Sequence, residues 1–202
     1  MIRILYIFFA LLTISGCSQK FESIELNNNF TEEEIRDLHK LTEFFQTQMC
    51  GRASNFKSCI YSNLPDLLEY GYDAILENVD FDKQQKLFSG FQSDLFLQIW
   101  DFCQSGNFHE KETYRSLCLN TDGRYLQFLK DLSDRNPDLK EYYDKMIDSG
   151  DWEPTGLLQG RIHTNPEYYD LDDPSIQVLI AVQFLTQNDQ QKRKEIWTDS
   201  TQ

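Results

Sequence analysis

The chain lacks several things at once. It holds no apolar run of about 20 residues, the length a helix needs to cross a ~30 Å hydrocarbon core, so no retained membrane span is expected. Basic residues are scarce: 19 Lys and Arg stand against 33 Asp and Glu. Nucleic-acid binding requires a basic footprint for the phosphate backbone, and that class of partner is excluded. Lying flat on anionic lipid is disfavoured for the same reason. Histidine occurs only at His39, His109 and His163, scattered along the chain. The stretch "HEKET" that starts at His109 lacks the second His of a zinc peptidase motif. No GxSxG elbow, no Gly-rich phosphate loop and no CxxC knuckle occurs. Internal repeats and low-complexity tracts are also missing. No cofactor, metal or catalytic residue is therefore assigned, and the protein is not expected to be an enzyme.

What is present begins at the N-terminus, "MIRILYIFFALLTISGC". One positive charge, Arg3, precedes an almost unbroken apolar stretch from Ile4 to Leu12, and small residues close it. That order is a secretory signal. The last four residues, Ile14, Ser15, Gly16 and Cys17, resemble the lipobox of bacterial lipoproteins: an aliphatic residue, two small ones and Cys. The resemblance covers residues 1–17 only. It implies cleavage before Cys17, a diacylglycerol on its thiol and acylation of the new amino group. Several acyl chains at ~0.8 kcal/mol per buried CH₂ make a stable anchor. Ser18 after the Cys implies, in the enteric sorting scheme, delivery to the outer membrane. The chain divides into a leader (residues 1–16), a lipidated N-terminus and polar tether (residues 17–30) and one domain (residues 31–202). A flexible tether of that length spans about 20 Å.

Removing residues 1–16 removes Arg3 and no acid. The remainder carries 18 basic against 33 acidic side chains, a net charge of −15. Such a body suits a basic protein partner, a cation or plain solubility. Fifteen Phe, ten Tyr and three Trp supply a real core. Cys50, Cys59, Cys103 and Cys118 are an even set in an exported chain, which favours disulfides. Three pairings are formally open. Local pairing, Cys50–Cys59 and Cys103–Cys118, is expected because each pair brackets a turn, and each bridge is expected to clamp a helix hairpin.

Helical periodicity runs through nearly the whole chain. Thr31 and Glu34 form a capping box, followed by Ile35, Leu38, Leu41, Phe45 and Met49 on one face, with Gly51 as a stop. A short helix in "NFKSCIYSN" precedes one that starts at Pro65. Leu87, Phe88, Phe91, Leu95, Ile99 and Cys103 predict one long helix through "KLFSGFQSDLFLQIWDFC". "KETYRSLCLN", "GRYLQFLKDLSD" and "PDLKEYYDKMIDSG" continue as shorter helices, the last capped by Asn136. Residues 151–174 read as a long loop, a feature that in compact domains is often functional. Ile176 to Leu185 is apolar all round and predicts a central buried helix, with a buried strand as the lesser option. The fold class is all-α: a multi-helix bundle or orthogonal array behind a cleaved leader.

The candidate partner surface is the loop. Trp152, Arg161, His163, Tyr168 and Tyr169 include residue types enriched at interface hot spots, and Asp170 and Asp172 adjoin them. With Asp173, these carboxylates have two readings: a cap for the last helix, or a cation or acid–base site. Asp134, Asn136 and Asp138 alternate like the start of a calcium loop, but Leu139 and Lys145 stand where Gly and a bidentate acid are needed. Three functions follow. The first is a membrane-anchored module that binds another protein, a basic one being the charge-complementary choice. The second is a structural or assembly lipoprotein of an outer-membrane complex. The third is an envelope hydrolase using His163 with Asp170–Asp173.

Overall fold

The computed structural model describes residues 20–51, 55–106 and 112–198. Cys17, its leader and His109 lie outside the described residues. Among those described there are ten α-helices and one two-stranded sheet. In chain order the helices before the sheet are α1 (Ile24–Asn29), α2 (Glu32–Cys50), α3 (Phe56–Tyr70), α4 (Asp73–Asn78), α5 (Phe81–Ser89) and α6 (Leu95–Ile99). Strands β1 (Trp100–Ser105) and β2 (Tyr114–Leu119) follow, then α7 (Arg124–Ser133), α8 (Pro137–Ser149), α9 (Thr155–Thr164) and α10 (Pro174–Lys192). The fold is the expected helical array with one hairpin added. No described helix is long and apolar enough to cross a membrane.

Helix α10 is the axis of the array. Every residue from Ile176 to Thr186 except Gln177 is buried. It packs against α2, α4, α5, α9 and β2. Phe184 meets Phe45 of α2 at 5.5 Å between ring centroids, and Phe45 meets Phe56 of α3 at 6.0 Å. An all-buried helix must satisfy its polar side chains internally. Thr186 Oγ1 accepts from Trp100 Nε1 at 2.7 Å, Gln183 Oε1 accepts from Tyr142 Oη at 2.7 Å, and Asn188 donates to Gln84 Oε1 at 2.7 Å.

The caps are where the residues put them. Glu34 N donates to Thr31 Oγ1 and Thr31 N donates to Glu34 Oε2, closing the capping box. Asn136 accepts from Leu139 N at 2.9 Å with Pro137 in the first turn. Asp173 accepts from Ser175 N at 2.8 Å and starts α10.

Four expectations need correction. Residues 17–30 are not a tether throughout: Ser23 caps α1, whose Leu26 is buried, with Phe30 just beyond it also in the core. The run of three Asn hid this i, i+4 pair. Helix α3 does not restart at Pro65 but runs through it. Pro65 sits on the exposed side, where the Tyr61 carbonyl it leaves unpaired can meet water. The long helix through Cys103 ends at Gly90, and after short α6 the chain becomes β1, paired antiparallel with β2 in the register Trp100↔Leu119. Within "KETYRSLCLN", Tyr114–Leu119 is thus a strand, and its Tyr114 also bridges Ile196. Non-local pairing overrode the local helical period. Finally, the loop of residues 151–174 contains α9 and a 3₁₀ turn, Pro166–Tyr168. Gly156 and Gly160 had weakened its helical signal.

Both disulfides are the local pairs, with Cα–Cα distances of 5.6 Å for Cys50–Cys59 and 5.9 Å for Cys103–Cys118. The first clamps the α2–α3 helix hairpin. The second ties the β-hairpin rather than two helices. On the chain-entropy account, the Cys50→Ala/Cys59→Ala variant should unfold with about 2–3 kcal/mol less free energy, read by urea denaturation. An unchanged midpoint would mean that α2 and α3 hold their angle by packing alone.

Candidate functional site

The segment of residues 151–173 divides into an inner and an outer part. Trp152, Arg161 and Tyr169 converge inside. Trp152 lies against Tyr125 of α7, ring centroids 5.8 Å apart, and Tyr169 is 1% exposed. Glu153, next to Trp152, has a fully buried side chain. Its backbone carbonyl accepts from Gln183 Nε2 at 2.7 Å, which ties it to α10. Arg161, two turns into α9, reaches back to Glu153 at 3.2 Å and across to Glu141 of α8 at 2.8 Å. Lys145 completes the network, 2.9 Å from Glu141 and 3.7 Å from Glu153.

Electrostatics follow from burial. Desolvation raises the Glu153 carboxyl above the ordinary 4.5, against the pull of Arg161. Hydrogen bonds from Arg161 and Lys145 hold Glu141 down at about 2. Burial pushes the Tyr125, Tyr142 and Tyr169 hydroxyls up. Six buried polar atoms here have no hydrogen-bond partner among the described residues: Tyr125 Oη, Trp152 Nε1, Glu153 Oε2, Gln159 Nε2, Arg161 Nε and Tyr169 Oη. The cluster fastens α9 to α8 and α10. Glu153 presents no surface to a substrate.

The outer residues do not join it. Asp170 Oδ1 accepts from Asp172 N at 3.1 Å, and Asp173 caps α10 and binds Arg135, so these acids shape the turn into the last helix. Asp172 reaches Lys57 at the start of α3, at 2.6 Å. Tyr168 is half-exposed. Its carbonyl accepts from Asn136 Nδ2 at 3.0 Å. Among the described residues no hydrogen bond joins His163 to Asp170, Asp172 or Asp173.

His163 instead completes a second feature. Helix α9 packs along α3. There His163 and Tyr61, Leu64, Pro65, Leu68 and Glu69 line an open, mostly apolar groove of about 480 Å³. Ten large hydrophobic side chains are exposed among the described residues. Six of them, Tyr61, Leu68, Tyr70, Tyr72, Leu157 and Tyr168, belong to α3, the turn after it, α9 or the 3₁₀ turn. Of these, Tyr61 and Leu68 share the groove, and contiguous exposed apolar side chains mark interaction surfaces more than scattered ones do. Splitting α3 at Pro65 concealed the groove, because Tyr61, Pro65 and Leu68 share one face only if the helix is continuous. Glu153 gave no signal within the expected loop, and Tyr125 and Tyr142 gave none beyond helical spacing.

The inner network makes a stability prediction. Arg161→Ala leaves Glu153 buried with only Lys145 near it and should cost about 3 kcal/mol. Arg161→Ala/Glu153→Gln should recover most of that in urea denaturation. Equal losses in the two variants would show that packing, not charge, was removed. The pH signs differ between the two acids. Glu153, raised in the fold, contributes stability that is full below 4.5 and lost as pH rises. Glu141, lowered, contributes above 4.5 and loses that contribution as pH falls toward about 2. Glu153→Gln should therefore gain on the wild type as pH rises from 4.5. A constant difference across the titration would overturn the assignment.

Comparison with known proteins finds no matching family model, no matching characterised protein and no matching solved structure.

Proposed function

We propose that the protein is a bacterial envelope lipoprotein, anchored through Cys17, that works as a protein-binding module rather than as an enzyme. The observation that carries the reading is how soon the fold begins after the lipobox. Phe21 is stacked on His39 of α2, ring centroids 4.4 Å apart, and α1 follows at once. Four residues from Cys17 to Phe21 span at most about 14 Å. A lipid on Cys17 would hold the body against its own bilayer. The two disulfides fit an oxidising compartment. The groove between α3 and α9 offers the exposed apolar surface that a partner needs. Ser18 favours the outer membrane in the enteric scheme.

The short reach also supports a second reading, a structural or assembly lipoprotein. A body that cannot leave the bilayer meets partners embedded in, or attached to, the same membrane. The two readings differ in the partner, a soluble protein or a stoichiometric membrane complex.

The anchor is tested by detergent phase separation with labelled palmitate. The wild type should carry label and enter the detergent phase, and Cys17→Ser should do neither. A wild type that stays unlabelled and aqueous overturns the anchor. A mild-detergent pull-down of both forms then separates the readings. A membrane complex recovered only with the lipidated form supports assembly, and a soluble partner recovered with both supports the free binding module.

A further inference from the structure

We propose that the groove between α3 and α9 docks a basic amphipathic helix of a partner protein. The proposal rests on the binding-module reading and adds to it the surface and the chemistry of the partner. Tyr61, Pro65 and Leu68 stand at i, i+4 and i+7 on the exposed side of α3, the spacing that receives a helical apolar stripe. Tyr61 and Leu68 are each 42% exposed. On α9 the same spacing carries Gly156, Gly160 and His163. A Cβ on either glycine would touch nothing within 4 Å, so no side chain rises there to keep an incoming backbone away.

The charge around the groove specifies the sign of the occupant. From residue 58 to residue 82 the chain has no Lys or Arg and six acids. Glu69 lines the groove, and Asp66 follows Pro65 on the same helix. Among the described residues no ion pair neutralises Asp66, Glu69, Asp73 or Glu77. The Tyr70 hydroxyl is pushed up first by its hydrogen bond to Glu69, then by desolvation, with Asp66 and Glu77 adding to it. An apolar stripe flanked by Lys or Arg would fill the groove and meet these acids. Anionic lipid would be repelled, and so would a second copy presenting the same acids. The groove is also remote from the chain's entry. Lys57 lines a cleft with Lys20 and Phe21. Leu68 is eleven residues farther along α3, about 16 Å.

The test uses the full chain carrying Cys17→Ser, so that no detergent competes for the groove. It is titrated against a fluorescein-labelled peptide of Leu and Lys at helical spacing and against its Leu/Glu counterpart, read by fluorescence anisotropy. The Lys peptide should bind saturably and the Glu peptide should not. Leu68→Ser should weaken binding about tenfold. Glu69→Gln should flatten its salt dependence. Ile147→Ser, which alters an exposed apolar side chain on α8, should change nothing. Indifference to Leu68→Ser would reduce the attraction to diffuse charge and overturn the proposal. So would Leu68-dependent binding to phosphatidylcholine or phosphatidylglycerol vesicles, or a dimer that Leu68→Ser dissociates. If the peptides fail while a membrane pull-down still captures a partner with Leu68→Ser, the groove is ruled out and the binding-module reading stands.

Discussion

The structure depends on one constraint: α10 is apolar on nearly every side and must be enclosed. An ordinary surface helix leaves one face to water and can be covered by a single neighbour. Helix α10 offers no such face along its central turns, so α2, α4, α5, α9 and β2 all pack on it. The enclosure brings polar atoms inward with it. Gln183, Thr186 and Asn188 would each cost stability if buried alone. Each finds a partner on a different element: Tyr142 of α8, Trp100 of β1 and Gln84 of α5. These bonds also set the rotation of α10, because turning the helix would strand all three.

The legible and illegible parts of the fold divide along this line. Local chemistry was readable. The Thr31–Glu34 box, the Asn136–Pro137 start and the Asp173 cap need only residues near in sequence. Each is found in place. The disulfide pairing was readable because both bridges are short-range. What stayed hidden was decided across the chain. Leu95, Ile99 and Cys103 keep a helical period, but β1 pairs with β2, and β2 also gains Ile196 from the other end of the molecule. Residues 17–30 read as a polar tether, yet α1 packs on α2 and α7 and Phe30 meets Phe128 of α7. The segment around Trp152 drew notice for the right residue types. Yet Trp152 and Tyr169 face the core, and the surface beside them is made by α3, whose continuity through Pro65 no local rule supplies.

Charge placement separates structural from uncommitted acids. Glu25, Glu34, Glu153 and Asp189 are buried or partly buried against Arg135, Arg124, Arg161 and Arg193, so the arginines are largely spent inside. Arg193 also lies 5.2 Å from the Phe102 ring, tying the end of α10 to the hairpin. The lysines mostly serve nearby carboxylates: Lys40 on buried Asp37, and Lys83 on Asp80 and Lys140 on Asp144 at the surface. On α3 and α4 the nearby lysines are committed elsewhere, Lys57 to Asp172 and Lys192 to the Leu76 and Val79 carbonyls, and none pairs with Asp66, Glu69, Asp73 or Glu77 among the described residues.

That imbalance has a physical consequence. Like charges held within one or two helical turns repel, and the fold carries the repulsion because α10 and its shell supply enough burial to tolerate it. A surface that is both apolar and uncompensated in charge is doubly unfavourable in isolation. Tyr61 and Leu68 expose apolar surface to solvent while Asp66 and Glu69 have no ion-pair partner among the described residues. Both costs would fall together on binding of the proposed cationic apolar partner. Hydrophobic burial alone would give adhesion without discrimination, and acidity alone would give weak attraction to any base. Joined on one face, each limits what the other will accept. On the proposed reading, specificity would lie in the α3–α9 face rather than in the polar cluster around Glu153, which is buried and presents no surface.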